Sequence, residues 1–186
     1  MTGIHRICTS PARLRFALAW AGAFSLACLF SNATQASDVP MRHSLASDYG
    51  FMIGRWTCHV TQAGTADRDV AVEYEWSYDK RILRESMRLG DKLIGEFLTT
   101  YDPITDRFKG VGVGAWGGYI VWENRGFHEG RASEIGYVFD SGRMMPASRS
   151  EFERTSDTHY VVHDFEADTD SGGGAATDTE DCIKLK

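Results

Sequence analysis

Glu85 is the residue whose setting most suggests chemistry. It stands between Leu83 and Met87 in the run ILRESMRL, and side chains two apart on a strand share a face. A carboxylate held among apolar neighbours has its pKa raised by desolvation, which suits a general acid or base. His163 or Tyr74 could supply a second proton-handling group. The plainer reading, that Glu85 pairs with an inward arginine or sits at an open mouth, outweighs catalysis. Other constellations are weaker. His159 and His163 share a face, but four residues at about 3.3 Å each put them too far apart for one zinc ion, so no metal is expected. Gly112-Val113-Gly114-Ala115-Trp116-Gly117 spells a dinucleotide fingerprint, yet the strand-like YIVWEN follows where a helix is required. The glycines at 110, 112 and 114 are better read as one face of a strand, bared for a neighbouring aromatic ring or a sharp bend. The loop from Asp168 to Gly173 has the look of a calcium loop but lacks the acids at the fifth and twelfth positions, so a solvated acidic loop is expected. No serine lies in a G-x-S-x-G elbow.

The elements that position these residues are strands. From Gly54 onward, short turns such as Tyr78-Asp79-Lys80, Gly90-Asp91, Asp102 to Asp106 and Asp140-Ser141-Gly142 recur at short intervals, dividing the chain into ten segments. Val70, Val72, Tyr74 and Trp76 alternate with Asp69, Glu73 and Glu75. Leu83, Met87 and Leu89 alternate with Arg84, Ser86 and Arg88. His159, Val161, His163 and Phe165 make a third, less pure stripe. No helical period is sustained after residue 54, which predicts an all-β antiparallel domain. Short links between neighbours predict an up-and-down order, and such a sheet avoids exposed edges by closing into a barrel.

The chain divides by composition. Arg6, Arg13 and Arg15 precede the apolar run from Phe16 to Phe30, and small polar residues then lead to Ala36. Residues 1–36 therefore read as a secretory signal peptide, its apolar core short of the roughly 20 residues that span a bilayer. Cys28 has Ser25 where a lipid-modified cysteine usually has leucine three places before, so lipidation is not the expectation. Residues 37–50 read as an N-terminal segment with one short helical turn at a barrel end, and 51–186 as the barrel.

The whole chain carries 20 basic and 26 acidic residues, and the leader takes three arginines and no acid. An acidic remainder without clustered Lys or Arg argues against nucleic acid and anionic membrane surfaces as partners. Removal of the leader leaves Cys58 and Cys182, an even pair that in an exported protein implies a disulfide. An even number of strands makes the same demand, because it sets the start of the first level with the end of the last. The sequence fixes no oligomeric state.

Gly54-Arg55-Trp56, with YGFMIGRWTC around it, YDPITDRF at Tyr101 to Phe108, EFERTSDTHY at Glu151 to Tyr160 and the terminal DCIKLK, resembles the secreted bacterial lipocalin-like proteins of a family without assigned function. It is also similar to the nitrobindins, ten-stranded haem-binding relatives. The resemblance covers about Tyr49 to Lys186 and implies a calycin-type barrel around a small hydrophobic ligand. The nitrobindin haem histidine lies near the C-terminus, where Asp181 to Lys186 has none, so no cofactor is expected.

Trp56, Tyr74, Trp76, Trp116, Tyr119 and Trp122 are the candidate ligand-binding wall, with Trp56 as floor plug; the competing reading is that these rings simply pack the core. The leading expectation is a non-enzymatic exported barrel for a small hydrophobic or aromatic molecule. An isomerase- or lyase-type barrel enzyme using Glu85 with His163 or Tyr74, and a structural domain with a packed interior, are the alternatives.

Overall fold

The fold is given by a computed structural model that describes residues 43–140, 142–165 and 176–186. The leader and the acidic loop at Asp168 lie outside the described residues. A short helix α1 (Leu45–Tyr49) runs into a 3₁₀ turn (Gly50–Met52). Ten strands follow: β1 (Gly54–Gln62), β2 (Arg68–Ser77), β3 (Ile82–Leu89), β4 (Lys92–Asp102), β5 (Arg107–Gly114), β6 (Tyr119–Asn124), β7 (Arg131–Asp140), β8 (Arg143–Ser156), β9 (His159–Phe165) and β10 (Asp178–Lys184). Each pairs antiparallel with its neighbour in sequence, and β10 returns to pair with β1, closing the barrel.

The closing seam is covalent. Cys58 and Cys182 stand directly opposite one another in the β1–β10 register, with their sulfurs bonded at 2.09 Å. Both side chains are fully buried.

Alternation sets the inward face, as the pattern of β2 predicts: Val70, Val72 and Tyr74 are buried while Asp69, Ala71, Glu73 and Glu75 are exposed. In β3 the register slips between Met87 and Arg88, which releases Leu89 to solvent despite its apolar character. β9 reverses expectation. Tyr160 and Val162 are its buried residues, so the stripe of His159, Val161, His163 and Phe165 faces outward. Both faces of this strand carry apolar side chains, and the alternation alone therefore does not say which is inside.

One end of the barrel is sealed by the segment before β1. Ser44 caps α1, accepting from the Ser47 amide at 3.1 Å while Ser47 Oγ accepts from the Ser44 amide. The helix carries Tyr49 onto Phe108 and Phe127 in edge contacts, and Tyr49 Oη donates to Asn124 Oδ1 at 2.9 Å. Trp56 is the plug, fully buried, its indole N–H donating to the Met52 carbonyl. Burying a side chain of this size stabilises the fold by roughly 1.5–3 kcal/mol. Lys184 Nζ lies 5.3 Å from the Trp56 ring centroid and donates to the Phe51 carbonyl, so its charge is used at this floor. Gly126 shows how tightly the seal fits: its φ of 80° suits glycine, and a Cβ there would strike the Asp48 carboxylate and the Phe108 ring.

The glycine face of β5 admits aromatic rings as its spacing predicts. A Cβ on Gly110 would overlap the Trp122 ring, one on Gly112 the Phe97 ring, and one on Gly114 the Trp116 ring. The G-x-G-x-x-G string runs out of β5 through a turn into β6, with no helix.

Candidate functional site

The interior beyond the plug is not filled. A cavity of about 180 Å³ lies within the barrel. Two rings of cross-strand neighbours account for its character. In one, Tyr74, Glu85, Phe97, Gly112 and Ile120 follow one another across β2 to β6. In the other, Gln62, Asp178, Asp164, Ser150, Glu134 and Asn124 follow one another across β1, β10, β9, β8, β7 and β6. The second ring is polar at six consecutive staves, on the face that a soluble barrel ordinarily gives to its core.

The wall is accordingly two-sided. From β3, β4 and β6 come Leu83, Met87, Phe97, Ile120 and Trp122; from β7 to β10 come Glu134, Ser150, Asp164 and Glu180, interspersed with Phe152, Tyr160 and Val162. Phe97 and Trp122 lie tilted against each other at 5.8 Å between centroids. Glu85 on β3 is the carboxyl on the apolar side. Among the described residues, no lysine, arginine or histidine lines the cavity.

These carboxyl groups retain some accessible surface, but it opens on the cavity inside the barrel, so desolvation governs them. Burial pushes Glu85 up to about 8, with Glu180 and Glu134 adding like charge and the Tyr74 hydroxyl opposing. Burial likewise lifts Glu134 to about 8, against the hydrogen bond that Asn124 Nδ2 donates at 3.3 Å. Glu180 rises to about 7 through burial and the nearby Asp164 and Asp178, with Arg68 pulling the other way. Asp164 is raised by burial although Ser150 donates to it. At the open end Arg68 donates to Gln62, and Gln62 to Asp178. The Tyr74 and Tyr160 hydroxyls are 3.1 Å apart, and burial raises both far above the ordinary tyrosine range. They serve as hydrogen-bonding groups rather than bases.

The expected residues divide on this geometry. Glu85, Tyr74 and Trp122 line the cavity. Trp56 lies beneath it as the plug, and Trp76 packs on the core without reaching the cavity lining. Trp116 is half-exposed in the β5–β6 turn, and Tyr119 is half-exposed on the outside, stacked on Phe139 at 4.6 Å. His163 corrects the expectation of a partner for Glu85: it lies on the outward face of β9, with Nδ1 3.2 Å from Thr179 Oγ1. His159 also points outward, its Nε2 2.7 Å from Asp181.

Glu134, Asp164, Glu180 and Phe97 were not expected at the site. The first three look like solvent-face residues of their strands, and the glycines at 95, two places before it, and at 112, opposite it in register, are the sequence signal that could have pointed to Phe97.

As a metal cage the site is poor. Among the described residues, the metal-type ligand atoms that gather within 4.8 Å belong to Cys58, Cys182 and Glu180, and both sulfurs are committed to the disulfide. Nor is any helix among the described residues long and apolar enough to cross a membrane. The sequence matches no protein-family model and no curated protein.

Proposed function

We propose that this protein is an exported, non-enzymatic barrel that holds a small apolar or aromatic molecule in its interior, as the resemblance to lipocalin-like proteins implies. The observation that carries this reading is the cavity of about 180 Å³ between the Phe97 and Trp122 rings and the acidic wall. An apolar cavity of about 150 Å³ is enough to hold benzene, so the space suits one ring with a short substituent. Rings that lie on bared glycines leave that space open instead of closing it. Export to the periplasm or beyond is supported by the leader-like residues 1–36 and by the disulfide.

The test is saturable quenching of tryptophan fluorescence by a panel of single-ring compounds, with Trp122→Phe to assign the signal. Saturation that loses its amplitude in Trp122→Phe supports the reading. No saturable response from any member of the panel overturns it.

A second reading is favoured by one observation: Glu85 lies in the cavity directly opposite Tyr74 in register, the pairing that proton transfer on a bound molecule would use. Turnover of any bound panel compound that Glu85→Gln abolishes would put this reading first.

A further inference from the structure

Five carboxyl groups point inward from β3, β7, β9 and β10, and the cations near them are elsewhere engaged. Glu85, Glu134, Asp164 and Glu180 line the cavity, and Asp178 neighbours Asp164 in register. Lys184 is held at the floor by the Phe51 carbonyl and the Trp56 ring. Arg68 stands at the open end on Gln62. Like charges directly opposite one another across strands are destabilising, and buried carboxylates without a counter-charge are costly.

Two of these groups are also unsatisfied. Glu180, facing the cavity, has no hydrogen-bond partner among the described residues. Asp178 Oδ1 is buried without a partner, while Oδ2 takes the Gln62 amide. The interior therefore has acceptors to spare, and among the described residues no cation lines the cavity; Arg68 acts on Glu180 and Asp178 from the open end. Phe97 and Trp122 lie on the other side of the same space, with faces that attract a cation as readily as they pack a ring.

We infer that the molecule held in the barrel is an organic cation, a small aromatic or apolar body bearing a protonated amine, whose ammonium group supplies the positive charge missing among Glu85, Glu134, Asp164 and Glu180. This rests on the reading of the interior as a binding site and narrows it to one chemical class. An ammonium donates up to three hydrogen bonds, and charge-assisted bonds to carboxylate are roughly twice as strong as neutral ones. A bare divalent metal ion would need carboxylate oxygens converging on one point, which they do not do here. An anion would find no cation to pair with among the described residues that line the cavity. A neutral alcohol would hydrogen-bond a carboxyl but form no ion pair with it.

Binding is coupled to protons. With Glu85 and Glu134 raised to about 8 and Glu180 to about 7, the cavity near neutral pH keeps protons on Glu85 and Glu134 and a shared occupancy on Glu180. An incoming ammonium forms its ion pair with a carboxyl that gives up its proton to solvent, so each amine bound releases about one proton. The groups facing these carboxyls are Tyr49 from α1, Arg68 and Tyr74 from β2, Ser150 from β8, Tyr160 and Asp164 from β9, and Asp178 from β10, with His163 acting on Asp164 from the outward face of β9. Of these, Arg68 and His163 are the basic groups. Affinity for an amine therefore rises with pH up to the carboxyl range, by at most about tenfold per pH unit for one proton.

The experiment is titration calorimetry of the purified protein with 2-phenylethylamine, 2-phenylethanol and 3-phenylpropionate, three probes of similar shape and different charge, at about pH 6 and about pH 8. Expected are an affinity for the amine at the higher pH at least about tenfold above that for the alcohol, a rise in amine affinity with pH that the alcohol does not share, and proton release measured from buffers of different ionisation enthalpy. Glu180→Gln and Glu85→Gln each weaken the amine severalfold and leave the alcohol unchanged. Alcohol or carboxylate binding as tightly as the amine overturns this inference and leaves the cavity a binding site. No heat from any of the three overturns both. Because the three-probe comparison uses the unaltered protein, the outcome does not depend on either variant folding.

Discussion

Gly112→Ala tests whether the Phe97 ring truly lies on bare backbone. Gly112 has no positive φ and sits inside β5, so on backbone grounds alanine should be the better residue, by roughly 0.5–1 kcal/mol. Against that gain stands the Phe97 ring, which a Cβ would overlap and which is held from the other side by Trp122. Forcing an extra carbon into packed surroundings costs typically about 1–3 kcal/mol, so the clash wins and the variant loses about 1–2 kcal/mol. For a domain of this size that lowers Tm by roughly 2–8 °C. Thermal and urea denaturation followed by tryptophan fluorescence would measure it. Gly136→Ala is the control: its Cβ would sit 3.1 Å from the Ile120 Cδ1 and 3.3 Å from Ser148 Oγ, both ends of side chains that can give, and its loss should be smaller. In a Phe97→Ala background, Gly112→Ala should become neutral or stabilising, giving a coupling of roughly 1–3 kcal/mol. A stabilising Gly112→Ala in the natural background, or no coupling to Phe97, would refute the account of how the cavity is kept open.

Three further outcomes are expected. Cys58→Ser with Cys182→Ser, which opens a loop of 124 residues, should lower unfolding free energy by roughly 4–5 kcal/mol in urea melts, with reductant matching its effect on the natural protein. Stability of the ligand-free protein should fall as pH rises: Glu85, Glu134 and Glu180 bind protons more tightly folded than unfolded, so their contribution is complete below about 4.5 and lost as pH passes through about 7 to 8. A Tm that is flat or rising across that window would contradict it, and Glu85→Gln should reduce the slope. Tyr49→Phe should cost about 1 kcal/mol, since Asn124 Oδ1 keeps the Gly126 amide when the tyrosine hydroxyl is gone; a loss of several kcal/mol would mean that the end seal depends on this one bond.

The barrel was legible because its strands alternate clearly where one face is apolar and the other charged, as at Val70 to Trp76. Closure was legible from an even count of strands and two cysteines at matching heights. The interior was less so. Glu85 announced itself by standing between Leu83 and Met87, but Glu134 lies two places from glycine at 136 and Asp164 sits beside Phe165, so no apolar pair flanks either on its own face to mark it as inward. In β9 the apolar residues fall on both faces, and Val161 and Phe165 misdirected the reading that Tyr160 and Val162 overturn. The six candidate aromatic side chains were counted by type, yet which of them face the cavity depends on register, and register in turn depends on the slip in β3 and on the turn between Gly114 and Tyr119.

The bond between Cys58 and Cys182 turns everything between them into a covalent hoop. A single nick in an exposed hairpin, for instance at Ile104, which is 93% exposed, leaves no free fragment: both pieces stay tethered through the two sulfurs and migrate as one until a reductant parts them. Damage of that kind costs this molecule a peptide bond without releasing any of its staves.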